Sequence, residues 1–111
     1  MNLKIIWQGK LTKEQKQLIE KDFKKVLSKR NLSQKIEVAV NVISDSQMVK
    51  LNRQYMGKRG STDVLSFPLE KEMGPDKVIR LGDIVLNIKF KNRFEFLTQH
   101  GLLHLLGEHH D

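Results

Sequence analysis

The sequence predicts an α+β domain in which a small mixed sheet of about four strands, in the order βαβαββα, packs against helices. Three observations support this. Apolar residues recur with period two in some segments and with helical spacing in the segments between them. A polar turn separates the last two strand-like segments, which predicts one antiparallel pair beside parallel pairs joined by helices. The 111 residues are 39% hydrophobic, enough for one modest core, so we treat residues 1–111 as a single domain.

The first half of the chain alternates strand and helix signals. Period-two apolar residues predict a first strand, which ends at Gly9: Leu3, Ile5 and Trp7. Thr12 and Gln15 have the spacing of a capping box and begin a helix that Asn31 stops. Its apolar stripe comprises Leu18, Ile19, Phe23, Val26 and Leu27.

A second strand and a second helix repeat this arrangement. The strand has β-branched residues at every alternate position: Ile36, Val38, Val40 and Val42. Ser44 and Gln47 repeat the capping-box spacing, and Gly57 closes the helix that they begin. Its apolar residues are Met48, Leu51 and Tyr55.

The second half predicts a hairpin and a final helix. Segments 64–67 and 78–88 have strand character and are separated by the turn sequence Gly74-Pro75-Asp76. Asn92, with Glu95 three residues later, is the predicted cap of the last helix, which Gly107 ends.

Composition narrows the class of protein. The chain has no cysteine, which excludes disulfides and thiolate metal sites and suits the cytoplasm. Twenty Lys and Arg against thirteen Asp and Glu give a net charge of +7, which favours a nucleic-acid partner. No segment resembles a signal peptide or reaches the ~20 apolar residues of a membrane span, so we expect no membrane partner.

The four histidines of the chain all lie in its last twelve residues, and three of them have the spacing H-x3-H-x5-H. His100 and His104 are one helical turn apart and therefore share a face. Gly107 allows the chain to leave the helix, so that His110 can return to the same ion. Three imidazoles leave an open coordination position on an ion such as Zn²⁺, which is typical of catalytic sites. The sequence thus predicts a metal site at the C-terminal helix.

Two simpler interpretations of the histidines stay open. A lone histidine on an apolar helix is more often a core or surface residue, and His109-His110 could be terminal polarity or a tag remnant. The spacing also matches the metzincin run H-E-x-x-H-x-x-G-x-x-H. Gly101, however, stands where that run has the glutamate that activates water, which disfavours a metallopeptidase.

Three segments together resemble the bacterial YbeY family of metal-dependent endoribonucleases. The run from His100 to Gly107, followed by His110, resembles the family motif H-G-x-L-H-L-x-G-Y-D-H. Residues 51–68 resemble L-N-x-x-Y-R-G-K-D-x-P-T-D-V-L-S-F-P, and residues 81–84 match L-G-D-I. The resemblance implies a zinc-type site of His100, His104 and His110. It also implies single-stranded ribosomal RNA as substrate, and a role in ribosomal RNA maturation and quality control alongside ribosome or small-subunit assembly proteins.

The chain departs from the family pattern at three places. Met56 replaces an arginine with a suspected role in holding substrate phosphate. Glu108-His109 replaces the Tyr-Asp that precedes the third ligand. The segment between L-G-D-I and the histidine motif is short and the chain ends at Asp111, so the sequence looks like a shortened member.

The catalytic residues are not identified by the sequence; Lys58, Arg59 and Glu108 are the candidates. Lys58 and Arg59 are predicted to contact substrate phosphates, the alternative being a solvated surface. Glu108 lies inside the ligand loop and could act as a base or point to solvent. The sequence therefore predicts a metal-dependent endoribonuclease, with two alternatives: an assembly factor whose metal site is structural or vestigial and, disfavoured, a metallopeptidase.

Overall fold

The predicted element order is confirmed by a computed structural model, which describes residues 2–30, 35–69 and 75–107. A 3₁₀ segment before the last helix is the one addition to that order within these residues. The elements are β1 (Asn2–Gln8), α1 (Lys13–Ser28), β2 (Lys35–Ile43), α2 (Asp45–Met56), β3 (Val64–Pro68), β4 (Val78–Asn87), the 3₁₀ segment (Ile88–Arg93) and α3 (Phe94–Leu105).

The four strands form one mixed sheet in the order β1-β2-β4-β3. β2 is parallel to both β1 and β4, and β3 and β4 form the predicted antiparallel hairpin. The register between β2 and β4 shifts at one point, where Glu37 pairs with Arg80 but Val38 pairs with Gly82. Gly82 has a φ of +133° in this bulge, a conformation that side chains with a Cβ rarely adopt.

The main core lies between one face of the sheet and the helices α1 and α3. Alternate residues of β2 and β4 supply the sheet side, since successive side chains of a strand face opposite directions. Its buried members include Ile19, Phe23, Leu27, Val38, Val40, Ile84, Leu86, Leu97, Leu102 and Leu105. The opposite face is covered by α2, whose Met48 packs against Leu65 and Val85.

Both predicted capping boxes are present. The Thr12 hydroxyl accepts from the Gln15 amide at 3.0 Å, and the Ser44 hydroxyl accepts from the Gln47 amide at 3.2 Å. Gly57 ends α2, as predicted, in the left-handed conformation that favours glycine, with a φ of +64°. None of the helices in the described part of the chain has the length and apolar character needed to cross a bilayer.

The predicted cap of the last helix is wrong. Arg93, not Asn92, occupies the cap position of α3, and it makes no side-chain capping hydrogen bond. Residues 88–93 instead form the 3₁₀ segment, which Asn87 caps by accepting from the Lys89 amide at 3.0 Å. This capping ends β4 one residue before the predicted boundary at Ile88.

The ends and stripe of α1 also differ in detail from the prediction. Leu18, a predicted member of the apolar stripe, lies at its edge and is 45% exposed. The helix ends at Ser28, and the predicted stop residue Asn31 lies outside the described residues.

Candidate functional site

The candidate site contains two imidazoles in direct contact, those of His100 and His104 on α3. Their Nε2 atoms lie 3.0 Å apart, and the rings meet edge to face with centroids 4.5 Å apart. Two imidazoles bound to one tetrahedral zinc at 2.0–2.1 Å have nitrogens about 3.3 Å apart. The two side chains therefore present their nitrogens at nearly the separation of metal ligands, as a shared helix face predicts. The nitrogens can also share a hydrogen bond, in which one ring donates to the other.

The histidine pair lines a cavity of about 320 Å³ between α3, β3 and the end of α2. Its other lining residues are Met56, Val64, Leu65, Ser66 and Pro68. Met56, where the resembled family has an arginine, thus forms part of the wall of the cavity that contains the histidines. The departure at this position replaces a cation with an apolar thioether inside the candidate site.

Gly101 allows α3 to approach the hairpin closely enough to form this cavity. A Cβ at this buried position would lie 2.9 Å from Cγ2 of Ile84 and 3.2 Å from Oγ of Ser66. Both distances are shorter than ordinary contacts, so a larger residue would push the helix away from the sheet. A glutamate at position 101, as metzincins have, is therefore incompatible with this packing. The packing thus leaves no room for the general base whose absence disfavours a metallopeptidase.

The third predicted ligand cannot be placed. Glu108, His109 and His110 lie outside the described residues, so the three-histidine site stays a prediction. Gly107, the last described residue, has a φ of +84° and donates its amide to the carbonyl of His104 at 3.0 Å. Within the described ranges, no third His, Asp or Glu joins the histidine pair.

Lys58 and Arg59 lie on the loop that connects α2 to β3, and both are exposed. The loop begins after Met56 and ends at Val64, and both of these residues line the histidine cavity. Neither cation is among the described residues that line it. They flank the candidate site along the chain, which is compatible with contacts to phosphates that extend beyond the cavity.

Two buried asparagines, which the sequence analysis missed, hold this loop in place. Asn52, 4% exposed, donates its side-chain amide to the carbonyl of Gly60 at 3.2 Å. Asn87 is completely buried and holds the other end of the loop, donating to the Ser61 hydroxyl at 3.0 Å and the Thr62 carbonyl at 3.2 Å. An asparagine that interrupts an apolar strand, as Asn87 does, is the signal that could have identified this role.

The Asn87 amide also fixes an ionised carboxylate at the start of α2. It donates to Oδ1 of Asp45 at 2.7 Å. This hydrogen bond, and then one with Ser61, holds the pKa of the Asp45 carboxyl below its ordinary range. Asn87 therefore links β4, α2 and the loop that carries Lys58 and Arg59.

Comparisons with known proteins extend the similarity across almost the whole chain. The family model described as Endoribonuclease YbeY matches residues 4–111. The endoribonuclease YbeY of Bacillus pumilus is 33% identical over an alignment that covers 92% of this chain and 77% of that protein. Its counterpart from Geobacillus kaustophilus is 35% identical, with 92% and 78% covered. Because the alignment to the first spans 122 positions, more than the 111 residues of this chain, that relative has residues that this chain lacks.

A solved structure has the same fold. The solution structure of a Thermotoga maritima protein superposes with a TM-score of 0.53 and 26% sequence identity, covering 97% of this chain and 75% of that one. The fold, the three sequence segments and the family match agree. The chain therefore belongs to the YbeY family of endoribonucleases.

Proposed function

We propose that this endoribonuclease hydrolyses single-stranded ribosomal RNA at a divalent ion, of the Zn²⁺ type, held by His100, His104 and His110. The observation that carries the proposal is the 3.0 Å separation of the His100 and His104 Nε2 atoms inside a cavity at the sheet edge. Imidazole nitrogens are common zinc ligands, and the spacing of His110 after Gly107 suits a third ligand.

The residues at this site would have different roles in the reaction. An ion held there supplies positive charge against the phosphodiester and lowers the pKa of water. The imidazoles would hold the ion in place, and Met56, Val64 and Leu65 would form the apolar part of the cavity wall around it. Lys58 and Arg59 would neutralise phosphates on either side of the scissile bond. Glu108 is the proposed proton acceptor.

The cellular part of the proposal follows from the family and the substrate. Ribosomal RNA is matured in the cytoplasm together with ribosome or small-subunit assembly proteins, which are the proposed partners. The net charge of +7 supports association with RNA and its complexes.

A second candidate function is supported by Met56. Because the cavity wall has a thioether where the family has an arginine, the site contains one cation fewer to stabilise phosphate charge. In this alternative the protein binds assembling ribosomes and its metal site is structural or vestigial.

Metal content and RNA cleavage, measured together, test the proposal. We expect about one divalent ion per chain in the wild-type protein, with a sharp loss of metal in single alanine variants of His100, His104 and His110, since three ligands leave no spare. Cleavage of single-stranded ribosomal RNA should stop with a chelator and resume with added Zn²⁺. Bound metal without cleavage would support the assembly factor, and a full complement of metal in His104→Ala would contradict the ligand set.

The salt dependence of RNA binding tests the role of the basic loop. Changing Lys58 and Arg59 together to glutamine should weaken binding for all RNA sequences. It should also reduce the slope of log K against log salt by roughly 1.4, since each phosphate contact to a single strand contributes about 0.7. The matched control is the double glutamine variant of Lys24 and Lys25, an adjacent exposed pair on α1. Equal slopes in the two double variants would assign Lys58 and Arg59 to a solvated surface.

A further inference from the structure

We propose that Phe96 is a stacking platform for one unpaired base of the RNA, beside the histidine site; this inference rests on the RNA-cleaving function proposed above. Phe96 is 60% exposed, although the large apolar residues around it on α3 are buried. Those buried residues are Phe94, Leu97, Leu102 and Leu105. The core therefore does not require an aromatic side chain at position 96.

The ring of Phe96 is aligned with the candidate metal site. It lies one helical turn before His100, and the two rings are nearly parallel, 15° apart in plane with centroids 6.3 Å apart. One turn of helix advances about 5.4 Å. A base that stacks on Phe96 would therefore belong to a nucleotide immediately beside the phosphate at the histidines.

Arg93 occupies the place that a base would take. Its guanidinium carbon lies 5.3 Å from the centroid of the Phe96 ring. At an exposed site a cation–π contact of this kind is weaker than the stacking of a nucleobase on an aromatic ring. A base can therefore displace the guanidinium, which is then free to pair with an RNA phosphate.

The surroundings of Phe96 have the chemistry of a nucleotide site. A cavity of about 520 Å³ is lined by Phe96 together with Lys91, Asn92, Arg93 and Gln15. The two cations complement phosphate, and the exposed Asn92 amide can hydrogen-bond to a base edge. Glu95 is the single acidic residue among the residues described in its lining.

A protein partner fits this surface less well than RNA. Among the described residues, the other exposed large apolar side chains are Leu18, Tyr55, Met56 and Leu69, and none of them lines this cavity. One exposed ring between cations lacks the contiguous apolar patch typical of protein interfaces. It is instead the combination found in proteins that bind single-stranded nucleic acids.

Three substitutions at position 96 separate stacking from simple apolar contact. Phe96→Ala removes the ring, Phe96→Leu keeps apolar volume without a π face, and Phe96→Trp keeps the π face. Leu18→Ala is the control, because it truncates an exposed apolar residue on α1. The probe is a short single-stranded RNA that contains one 2-aminopurine, with binding measured in chelator and cleavage kinetics measured with Zn²⁺.

We expect Phe96→Ala and Phe96→Leu to bind the RNA about 5- to 150-fold more weakly, while Phe96→Trp and Leu18→Ala bind like the wild type. The change in 2-aminopurine emission on binding should persist with tryptophan and disappear with leucine. An abasic nucleotide at the position that gives the largest emission change should weaken binding to the wild type but not to Phe96→Leu.

Two results would overturn the inference, and only one of them would also contradict the proposed function. If the wild type cleaves the RNA and Phe96→Leu matches it in affinity, KM and emission change, then Phe96 is no platform and the proposed function stands. If the wild type neither binds nor cleaves single-stranded RNA, both the platform and the proposed function fall.

Discussion

Replacement of Asn87 by alanine should destabilise the fold and release the loop that carries Lys58 and Arg59. The Asn87 side chain is completely buried and joins three parts of the chain by hydrogen bonds. Its Nδ2 contacts Asp45, Ser61 and the Thr62 carbonyl at 2.7 to 3.2 Å. Alanine can make none of these bonds.

The expected magnitude follows from the number of bonds. The amide uses both of its hydrogens on those acceptors, and its oxygen accepts from the Lys89 amide at 3.0 Å. Each intramolecular hydrogen bond contributes about 0.5–1.5 kcal/mol net, so the loss of all of them should lower the free energy of unfolding by about 2–4 kcal/mol.

Urea denaturation and limited proteolysis measure the two consequences. The urea midpoint gives the change in the free energy of unfolding, provided that the slope is unchanged. Trypsin cleaves after lysine and arginine, so a released loop should be cut faster after Lys58 and Arg59 than the same loop in the wild type.

Asn92→Ala is the matched control. Asn92 is an exposed asparagine in the neighbouring 3₁₀ segment and does not occupy the cap position of α3, so its loss should change stability by less than about 0.5 kcal/mol. The reasoning is refuted if Asn87→Ala loses no more stability than Asn92→Ala, or if the rate of cutting after Arg59 is unchanged.

Three further outcomes are expected. The hydrogen bond from Asn87 lowers the pKa of the Asp45 carboxyl in the folded protein. The ionised carboxylate therefore stabilises the fold above the ordinary aspartate pKa of about 3.9. This stabilisation is lost as the pH falls through the lower pKa of the folded state. The stability advantage of the wild type over Asp45→Asn, measured by urea denaturation, should therefore be constant above about pH 5 and shrink below about pH 4; an advantage that grows on acidification would reverse the sign. Gly101→Ala should lower the free energy of unfolding by up to about 2 kcal/mol in urea denaturation. Overpacking costs about 1–3 kcal/mol, and the higher helix propensity of alanine offsets about 1 kcal/mol of it. A stabilised variant would show that α3 does not approach the sheet so closely. His110→Ala should abolish metal binding and His109→Ala should retain it, because adjacent side chains in an extended segment point in opposite directions. Titration of both variants with Zn²⁺ measures their affinities. Loss of binding in His109→Ala alone would assign the ligand to His109.

Patterns between near neighbours in sequence were sufficient for the element order and for part of the site. The capping boxes at Thr12 and Ser44 join residues three apart, and the shared face of His100 and His104 follows from a spacing of four. Such contacts depend only on helix geometry, which every helix of the sequence obeys. The mixed character of the sheet followed from the helices that join its parallel strands and from the turn between its last two strands.

The remaining features depend on contacts between residues far apart in the chain. Asn92 and Glu95 have the spacing of a cap, but the buried Asn87 ends β4 and caps the 3₁₀ segment. A tertiary hydrogen-bond network therefore overrides the local pattern here. The approach of Gly101 to Ile84 and the position of Met56 in the wall of the histidine cavity join residues from different elements. The sequence by itself determined which helix face carries the two imidazoles. Only the tertiary packing of α3 against β3 and β4 decided which side chains surround those imidazoles.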